Sequence, residues 1–183
     1  MLLALIVCTT LAADGAEELN TARIDTGIVA MEVLLAWSAA NIAAGGTLYA
    51  LDNDRGPRRY FHQMNALWNV VNAGIATAGL VGLHGELGTA LGEAEALEAA
   101  VSFEKILLFN AGLDLAYVAA GAYLYERGRR RDSSRLRGYG QSLWLQGGFL
   151  FAFDLAVYFF THQHTTQMLD GLRVTPTGLA YSW

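Results

Sequence analysis

The chain has 183 residues, of which 54% are apolar and only 16% are charged, and its formal net charge is -5. A soluble domain needs about a quarter of its residues charged to cover its core with a polar surface. This composition therefore excludes an ordinary soluble domain and indicates a membrane protein. The length allows a single domain. One cysteine, Cys8, excludes a disulfide framework and a cysteine-ligated metal site, and the negative charge argues against nucleic acid as a partner.

The N-terminal segment is apolar but too short to span a bilayer. It reads MLLALIVCTTLAA, and Ala12 closes a small-residue cleavage pattern, which predicts a signal peptide over residues 1–12. The segment lacks the usual positively charged start, so a structural anchor helix is the alternative. Residues 13–183 are then a single membrane domain.

Four later segments are long and apolar enough to cross a bilayer as helices, which takes about 20 residues each. They are residues 27–51, 60–83, 99–125 and 139–160. The stretch 147–160 contains one charged residue, Asp154, and is apolar on every side, whereas a soluble helix would carry a polar stripe. The sequence thus predicts an all-α fold, a transmembrane four-helix bundle with an outer tail over residues 163–183.

The basic residues predict the orientation. Nine of the 12 lie in two short connections, one with Arg55, Arg58 and Arg59 and one with six arginines between 127 and 137. Short loops rich in arginine and lysine stay on the cytoplasmic side. We therefore expect both connections in the cytoplasm and both termini outside, in a cytoplasmic (inner) membrane whose lipid bilayer is the main partner.

An internal repeat is visible when the chain is compared with itself at an offset of 76 residues. The aligned pairs include Gly45 with Gly121, Tyr49 with Tyr125, Asn65 with Gln141, and Trp68 with Trp144. Such a match predicts two similar helical hairpins in parallel repeat, related by an axis along the membrane normal. Chance similarity between alanine-rich helices is the alternative.

Polar residues inside the predicted spans are the candidate functional residues. Asn65, Asn69 and Asn72 are spaced by four and three and so share one helix face. The full set for a polar core or binding site is Asn41, Asn65, Asn69, Asn72, Asn110, Asp114, Gln146 and Asp154. At about 1.5 Å per residue, they predict two stacked layers, Asn72, Asn110 and Asp154 in one and Asn41, Asn69 and Asp114 in the other.

Asp114 and Asp154 are the two acidic residues inside the predicted spans, and the orientation of the loops does not explain their positions. A charged acid at the bilayer centre costs about 2.5–3.5 kcal/mol on insertion scales, so both should face the bundle interior. No basic residue is expected at their depth, and asparagine amides are the expected partners.

Small residues at four-residue spacing predict the helix contacts, since they allow close backbone approach in lipid. The stripes are Ala40 and Ala44; Gly74, Ala78 and Gly82; and Gly112, Ala116 and Ala120.

Histidines near the outer ends are candidate metal ligands. The repeat would bring His84 and His162 to similar heights, near Glu86 and His164. Histidines that hydrogen-bond headgroups or water are commoner at such positions, so we predict no metal site, and the sequence identifies no cofactor.

Two strings carry a family resemblance: YFHQMNALWNVVNAGIA at 60–76 and GYGQSLWLQGGFLFAFDL at 138–155. They resemble the openings of spans two and four in an uncharacterised family of bacterial four-span integral membrane proteins, which is similar to this chain in the asparagines, the tryptophans and Asp154. The resemblance implies a bacterial membrane fold and supplies no activity.

Three functions fit these observations. The first is a non-enzymatic structural or accessory membrane subunit, acting with a protein partner or as a homo-oligomer, whose polar layers specify packing. A proton or small-cation channel or transporter that uses Asp114 and Asp154 is the second, and a haem- or quinone-binding subunit is the third. An enzyme is not expected, because no nucleophile has a basic partner at a recognisable spacing.

Overall fold

The computed structural model describes the backbone of residues 2–175 and 178–181 and the side chains of residues 15–167 and 169. These residues form four long helices and a small antiparallel hairpin. The elements are α1 (Leu2–Leu51), α2 (Pro57–Glu86), α3 (Glu93–Arg130), α4 (Ser134–Gly171), β1 (Leu172–Thr175) and β2 (Gly178–Tyr181). The predicted four-helix fold is confirmed, and the hairpin lies in the tail, for which the sequence predicted no element.

Local sequence explains where the helices begin and end. Pro57 opens α2, where its missing N–H would have no partner in any case. At the start of α3, the Glu95 carboxylate accepts a hydrogen bond from the Gly92 N–H at 3.2 Å. Three arginines in the last turn of α3 complement the helix dipole. Asp132 has a φ of 47°, a left-handed conformation that aspartate tolerates, and it turns the chain into α4.

The helices run alternately up and down. The α1–α2 and α3–α4 hairpins each pack extensively, and the two hairpins meet mainly where α2 packs on α4. Residues 52–56 and 131–133 connect the helices at one end, which we call the basic-loop end. Residues 87–92 connect α2 to α3 at the opposite end, which we call the outer end.

The surface is that of a membrane protein. All four helices are long and apolar enough to cross a bilayer, over Gly15–Leu51, Pro57–Glu86, Glu93–Arg130 and Ser134–Gln167, and these ranges contain the predicted spans. Large apolar side chains are exposed on every helix, among them Val33, Val70, Phe109 and Phe160. A soluble monomer rarely exposes so much contiguous apolar surface. The chain is accordingly a multi-pass membrane protein by length and composition.

Three helices extend beyond the predicted spans at the outer end. Residues 14–26, which precede the first predicted span, are part of α1, α3 begins at Glu93, and α4 continues to Gly171 into the predicted tail. Ala16 and Leu19 of α1 are buried against Ala96 and Ala100 of α3, so this extension belongs to the folded bundle. The predicted signal peptide, residues 1–12, lies outside the part of the chain whose side chains are described.

The predicted small-residue contacts are wrong. All members of the three stripes are exposed, and a Cβ added at Gly74, Gly82 or Gly112 would meet no atom within 4 Å. A four-residue spacing lines up residues on any face of a helix, so it does not say which face meets a neighbour. The close approaches occur elsewhere. A Cβ at Gly121 would lie 2.8 Å from the Gly140 carbonyl oxygen, and one at Gly45 would lie 2.9 Å from that of His62.

Candidate functional site

The interior of the bundle is polar where α2 lines it. The buried residues of α2 are Asn65, Asn69, Asn72 and Ala76, whose spacing of four, three and four follows one helix face. On the opposite face, large apolar side chains such as Val70 and Val71 are exposed. This polarity is the reverse of that of a soluble helix and suits a helix that faces lipid outside and polar partners inside.

Four side chains close a ring of hydrogen bonds that joins three helices, which we call the amide ring. Trp37 Nε1 donates to Gln146 Oε1 at 3.1 Å, and Gln146 Nε2 donates to Asn65 Oδ1. Asn65 Nδ2 then donates to Asn41 Oδ1 at 2.7 Å, and Asn41 Nδ2 donates to the Trp37 carbonyl oxygen at 2.8 Å. Each amide thus both donates and accepts, and α1, α2 and α4 are fixed to one another.

The two intramembrane acids lie further from the basic-loop end and face each other across α3 and α4. Asp114 is 3% exposed and Asp154 is 7% exposed, and their carboxyl groups interact with each other. We call them the acidic pair. Cβ atoms tilt toward a helix N-terminus, so on antiparallel helices the Asp114 and Asp154 side chains lean toward each other. The sequence had suggested asparagine amides as their partners.

Beyond the acidic pair, an apolar layer forms between α1, α3 and α4. Ala30, Leu107 and Val157 are buried together, and partly buried side chains including Met31 and Phe153 pack around them. Leu107 precedes Asp114 on α3, and Val157 follows Asp154 on α4. The layer therefore lies between the acidic pair and the outer end.

On the outer side of the apolar layer, polar contacts begin again. His162 Nδ1 lies 3.0 Å from Glu104 Oε2, and Tyr158 stacks on the His162 ring with 5.2 Å between centroids. At the outer end, Arg23 donates to Glu86 Oε2 at 2.5 Å and to Asn20 Oδ1 at 2.7 Å. Arg23 is 8% exposed, and this anchor was missed because the sequence placed residues 14–26 outside the helices.

The basic-loop end carries a separate ion-pair cluster. Arg58 Nε donates to Asp52 Oδ2 at 3.0 Å, and the Asp54 N–H donates to Asp52 Oδ1 at 3.0 Å. The hydrogen bond from Arg58 lowers the pKa of Asp52 and outweighs the opposing effect of burial. Arg59 lies over the Tyr49 ring, 4.2 Å from its centroid. These contacts fix the turn between α1 and α2.

The structure brings together most of the predicted polar residues. Asn41, Asn65 and Gln146 meet in the amide ring, and Asn69 Nδ2 donates to the Asn65 carbonyl oxygen at 2.8 Å. Asn110 is only half-buried. Asn41 bonds to Asn65, a pairing that the predicted layers did not include.

The candidate metal ligands do not converge. His84 Nδ1 lies 2.7 Å from the Leu80 carbonyl oxygen of its own helix, His162 contacts Glu104, and His164 is exposed. Among the described residues, no three histidine, cysteine, aspartate or glutamate side chains are grouped to hold a metal ion.

Trp37 is not among the candidate residues predicted from the sequence. Its indole is stacked on Phe149 at 3.8 Å between centroids while its N–H closes the amide ring. An indole N–H inside a membrane needs an acceptor, and that requirement was the available clue.

The fold and the site together define a class: four-helix membrane proteins with an apolar outer surface and a polar, hydrogen-bonded interior. The chain belongs to a family of unknown function, DUF6992, whose model matches residues 33–155. The matched region includes the amide ring and the acidic pair. No curated protein matches the chain. No solved structure matches it either.

Proposed function

We propose that the chain is a non-enzymatic integral membrane protein, a structural or accessory subunit whose buried polar network holds two helical hairpins in one fixed packing. The amide ring is the observation that supports this function, because it joins α1, α2 and α4 through side chains that are paired with one another. Interhelical hydrogen bonds in membranes contribute about 0.6 kcal/mol each on average. A closed ring also fixes which helix faces meet.

A double-mutant cycle on Asn65 and Gln146 tests this role. Asn65→Leu and Gln146→Leu should each lower the free energy of unfolding by about 1–3 kcal/mol, because each leaves buried polar partners unpaired. The double variant should cost less than the sum of the two, with a coupling of up to about 1.7 kcal/mol. Unfolding would be followed in detergent by tryptophan fluorescence.

Thr77→Ala is the matched control for the cycle. Thr77 lies on the same helix, is exposed and bonds only to the Ala73 carbonyl oxygen of its own turn, so its loss should change stability by less than about 0.5 kcal/mol. Purely additive effects of Asn65→Leu and Gln146→Leu would contradict a joint role for the two amides.

We further propose that the two hairpins are a parallel repeat. Gly45 and Gly121, which the repeat aligns, both pack against the opening turns of the following helix: Gly45 against His62 and Ala66, and Gly121 against Gly140 and Trp144. This shared contact supports the repeat. A similar close approach in each hairpin would follow from one ancestral helix pair.

The same proposal includes the topology. Both basic connections lie in the cytoplasm, both termini lie outside, and residues 1–12 are removed as a signal peptide from a bacterial inner-membrane protein. Support comes from the arginines of the two connections, which the structure places at one end of the bundle. An intact mass of the purified protein that includes residues 1–12 would show that the segment is instead retained as an anchor.

A further inference from the structure

Three buried atoms of α2 and α3 have no hydrogen-bond partner among the described residues: Asn69 Oδ1, Asn72 Nδ2 and Asp114 Oδ2. Asn69 is 0% exposed, and Asn72 and Asp114 are at most 5% exposed. A buried polar group without a partner is costly, and a half-satisfied network is less stable than an apolar core. Packing alone therefore explains the amide ring but not these three atoms.

The helix register places these groups in one stretch of the interior. Asn69 and Asn72 follow Asn65 along α2 by about one and two turns, away from the amide ring. On α4, Gly147 follows the ring residue Gln146, and a Cβ added there would lie 2.9 Å from the Asp114 carbonyl oxygen. Asp114 thus lies within the first turns from the amide ring toward the outer end. Asn69 and Asn72 face the interior in the same turns.

We propose that the acidic pair, Asn69 and Asn72 form a binding site for one monovalent cation, either an alkali-metal ion or a proton. Two ionised carboxylates that interact inside the bundle repel each other strongly where the dielectric constant is low. When they share one proton, one negative charge is left, and a single further positive charge neutralises it. The free Asp114 Oδ2 and the Asn69 oxygen are ligands for that charge.

The ligand chemistry favours a small, singly charged ion. The carboxylate and Asn69 ligand atoms are oxygens, and the Asn72 amide presents its oxygen as well when its terminal bond makes a half-turn. Oxygen ligands select hard cations. Calcium takes six to eight oxygen ligands, and magnesium demands a near-ideal octahedron. One net negative charge and two amides do not match either divalent ion.

The surroundings add no competing charge. From α1, the buried residue nearest this level is Ser38, and the acid Glu32 of that helix is exposed. From α2, only the asparagines and Ala76 are buried. Lys105 of α3 is exposed, and the buried Glu104, three residues from Leu107, contacts His162. Asp114 and Asp154 are therefore the titratable groups of the site.

The apolar layer of Ala30, Leu107 and Val157 determines whether a cation at the acidic pair only binds or also passes through the bundle. It lies between the acidic pair and the ion pair of Arg23 and Glu86 at the outer end. Moving an ion through such a layer would require it to give up every polar ligand. The site is therefore a place of binding, consistent with the structural role proposed above and independent of it.

Thermal unfolding of the purified full chain in detergent tests the site, with sodium chloride replaced stepwise by choline chloride at constant ionic strength. Ligands that bind only the folded state raise Tm with concentration. Above its Kd, sodium should raise the wild-type Tm by about 3–5 °C for each tenfold increase in concentration. Asp114→Asn/Asp154→Asn should abolish the response, because it removes both charges.

One single variant acts as a matched control. Glu98→Gln removes an exposed charge from the same helix as Asp114 and should respond like wild type. A response retained by the double variant would place the cation elsewhere and overturn the proposal.

A second measurement tests whether the bound cation is a proton. Thermal unfolding is recorded in choline chloride alone at alkaline, neutral and mildly acidic pH. If the occupant is a proton, sodium has no effect, and the wild-type Tm rises relative to the double variant as the pH falls. A wild-type protein whose Tm responds neither to sodium nor to acid overturns the proposal without any variant.

Discussion

Gly147 on α4 packs directly against the main chain of Asp114 on α3. A Cβ added at Gly147 would lie 2.9 Å from the Asp114 carbonyl oxygen and 3.0 Å from Val118 Cγ2, so the absence of a side chain lets the two helices approach. The same contact brings α3 against α4 one residue from Gln146 of the amide ring. Close packing and the polar interior are thus two aspects of one helix interface.

Gly147→Ala should therefore destabilise the bundle by about 1–3 kcal/mol, the usual cost of forcing extra atoms into a packed interface. Gly148→Ala is a control one residue away, because a Cβ at Gly148 would meet no atom within 4 Å. Alanine is a better helix former than glycine, so this control should be neutral or stabilising by up to about 1 kcal/mol. Equal effects of the two changes on unfolding in detergent would refute the close contact at Gly147.

The acids should not support ion passage. We expect liposomes with wild-type protein to show the same proton and sodium flux as liposomes with Asp114→Asn/Asp154→Asn, since the apolar layer of Ala30, Leu107 and Val157 separates the acidic pair from the outer end. Flux would be read with an internal pH dye and a sodium dye, with gramicidin as the positive control. A flux that wild type shows and the double variant lacks would favour a channel or transporter over a structural subunit.

The proposed orientation predicts which loops are accessible from outside the cell. In a background with Cys8→Ser, Thr89→Cys between α2 and α3 should react with a membrane-impermeant maleimide on intact cells. Asn53→Cys, between α1 and α2, should react only after the membrane is permeabilised. Both positions are exposed in loops, so accessibility reports topology and not burial. The reverse labelling pattern would invert the orientation.

Asp52 should give a pH-dependent contribution to stability. Arg58 donates a hydrogen bond that lowers the pKa of Asp52 in the folded chain, below the value of about 3.9 expected for an unfolded chain. A lowered carboxyl pKa stabilises the fold above the unfolded pKa, and that stabilisation is lost as pH falls through the folded pKa.

Asp52→Asn is therefore expected to lower Tm at neutral pH, and the difference from wild type should vanish in strong acid. Asp54→Asn is the control, because only the Asp54 main-chain N–H bonds to Asp52. Thermal unfolding over the acid range measures both variants. A deficit of Asp52→Asn that stays constant down to strong acid would mean that its charge is not responsible.

Much of the architecture could be predicted from the sequence. Long apolar segments must form helices in a bilayer, because no water is present to pair an exposed backbone, and α1 to α4 contain all four predicted spans. The spacing of Asn65, Asn69 and Asn72 likewise shows that they share a face. The outer extension of α1 was not predicted, because residues 14–26 carry the charges and polar groups of an ordinary loop. Only burial against Ala96 and Ala100 shows that it is part of the bundle.

The sequence by itself determined that this is a helical membrane chain with polar groups along its spans, because composition and periodicity are local properties. Only the tertiary structure decided the partners: that Gln146 bonds to Asn65, that Asp114 faces Asp154, and that the contact glycines are Gly121, Gly140 and Gly147 and not those of the small-residue stripes. Partner choice depends on how the helices are rotated and displaced along their axes. Those two quantities are set by packing among all four helices at once.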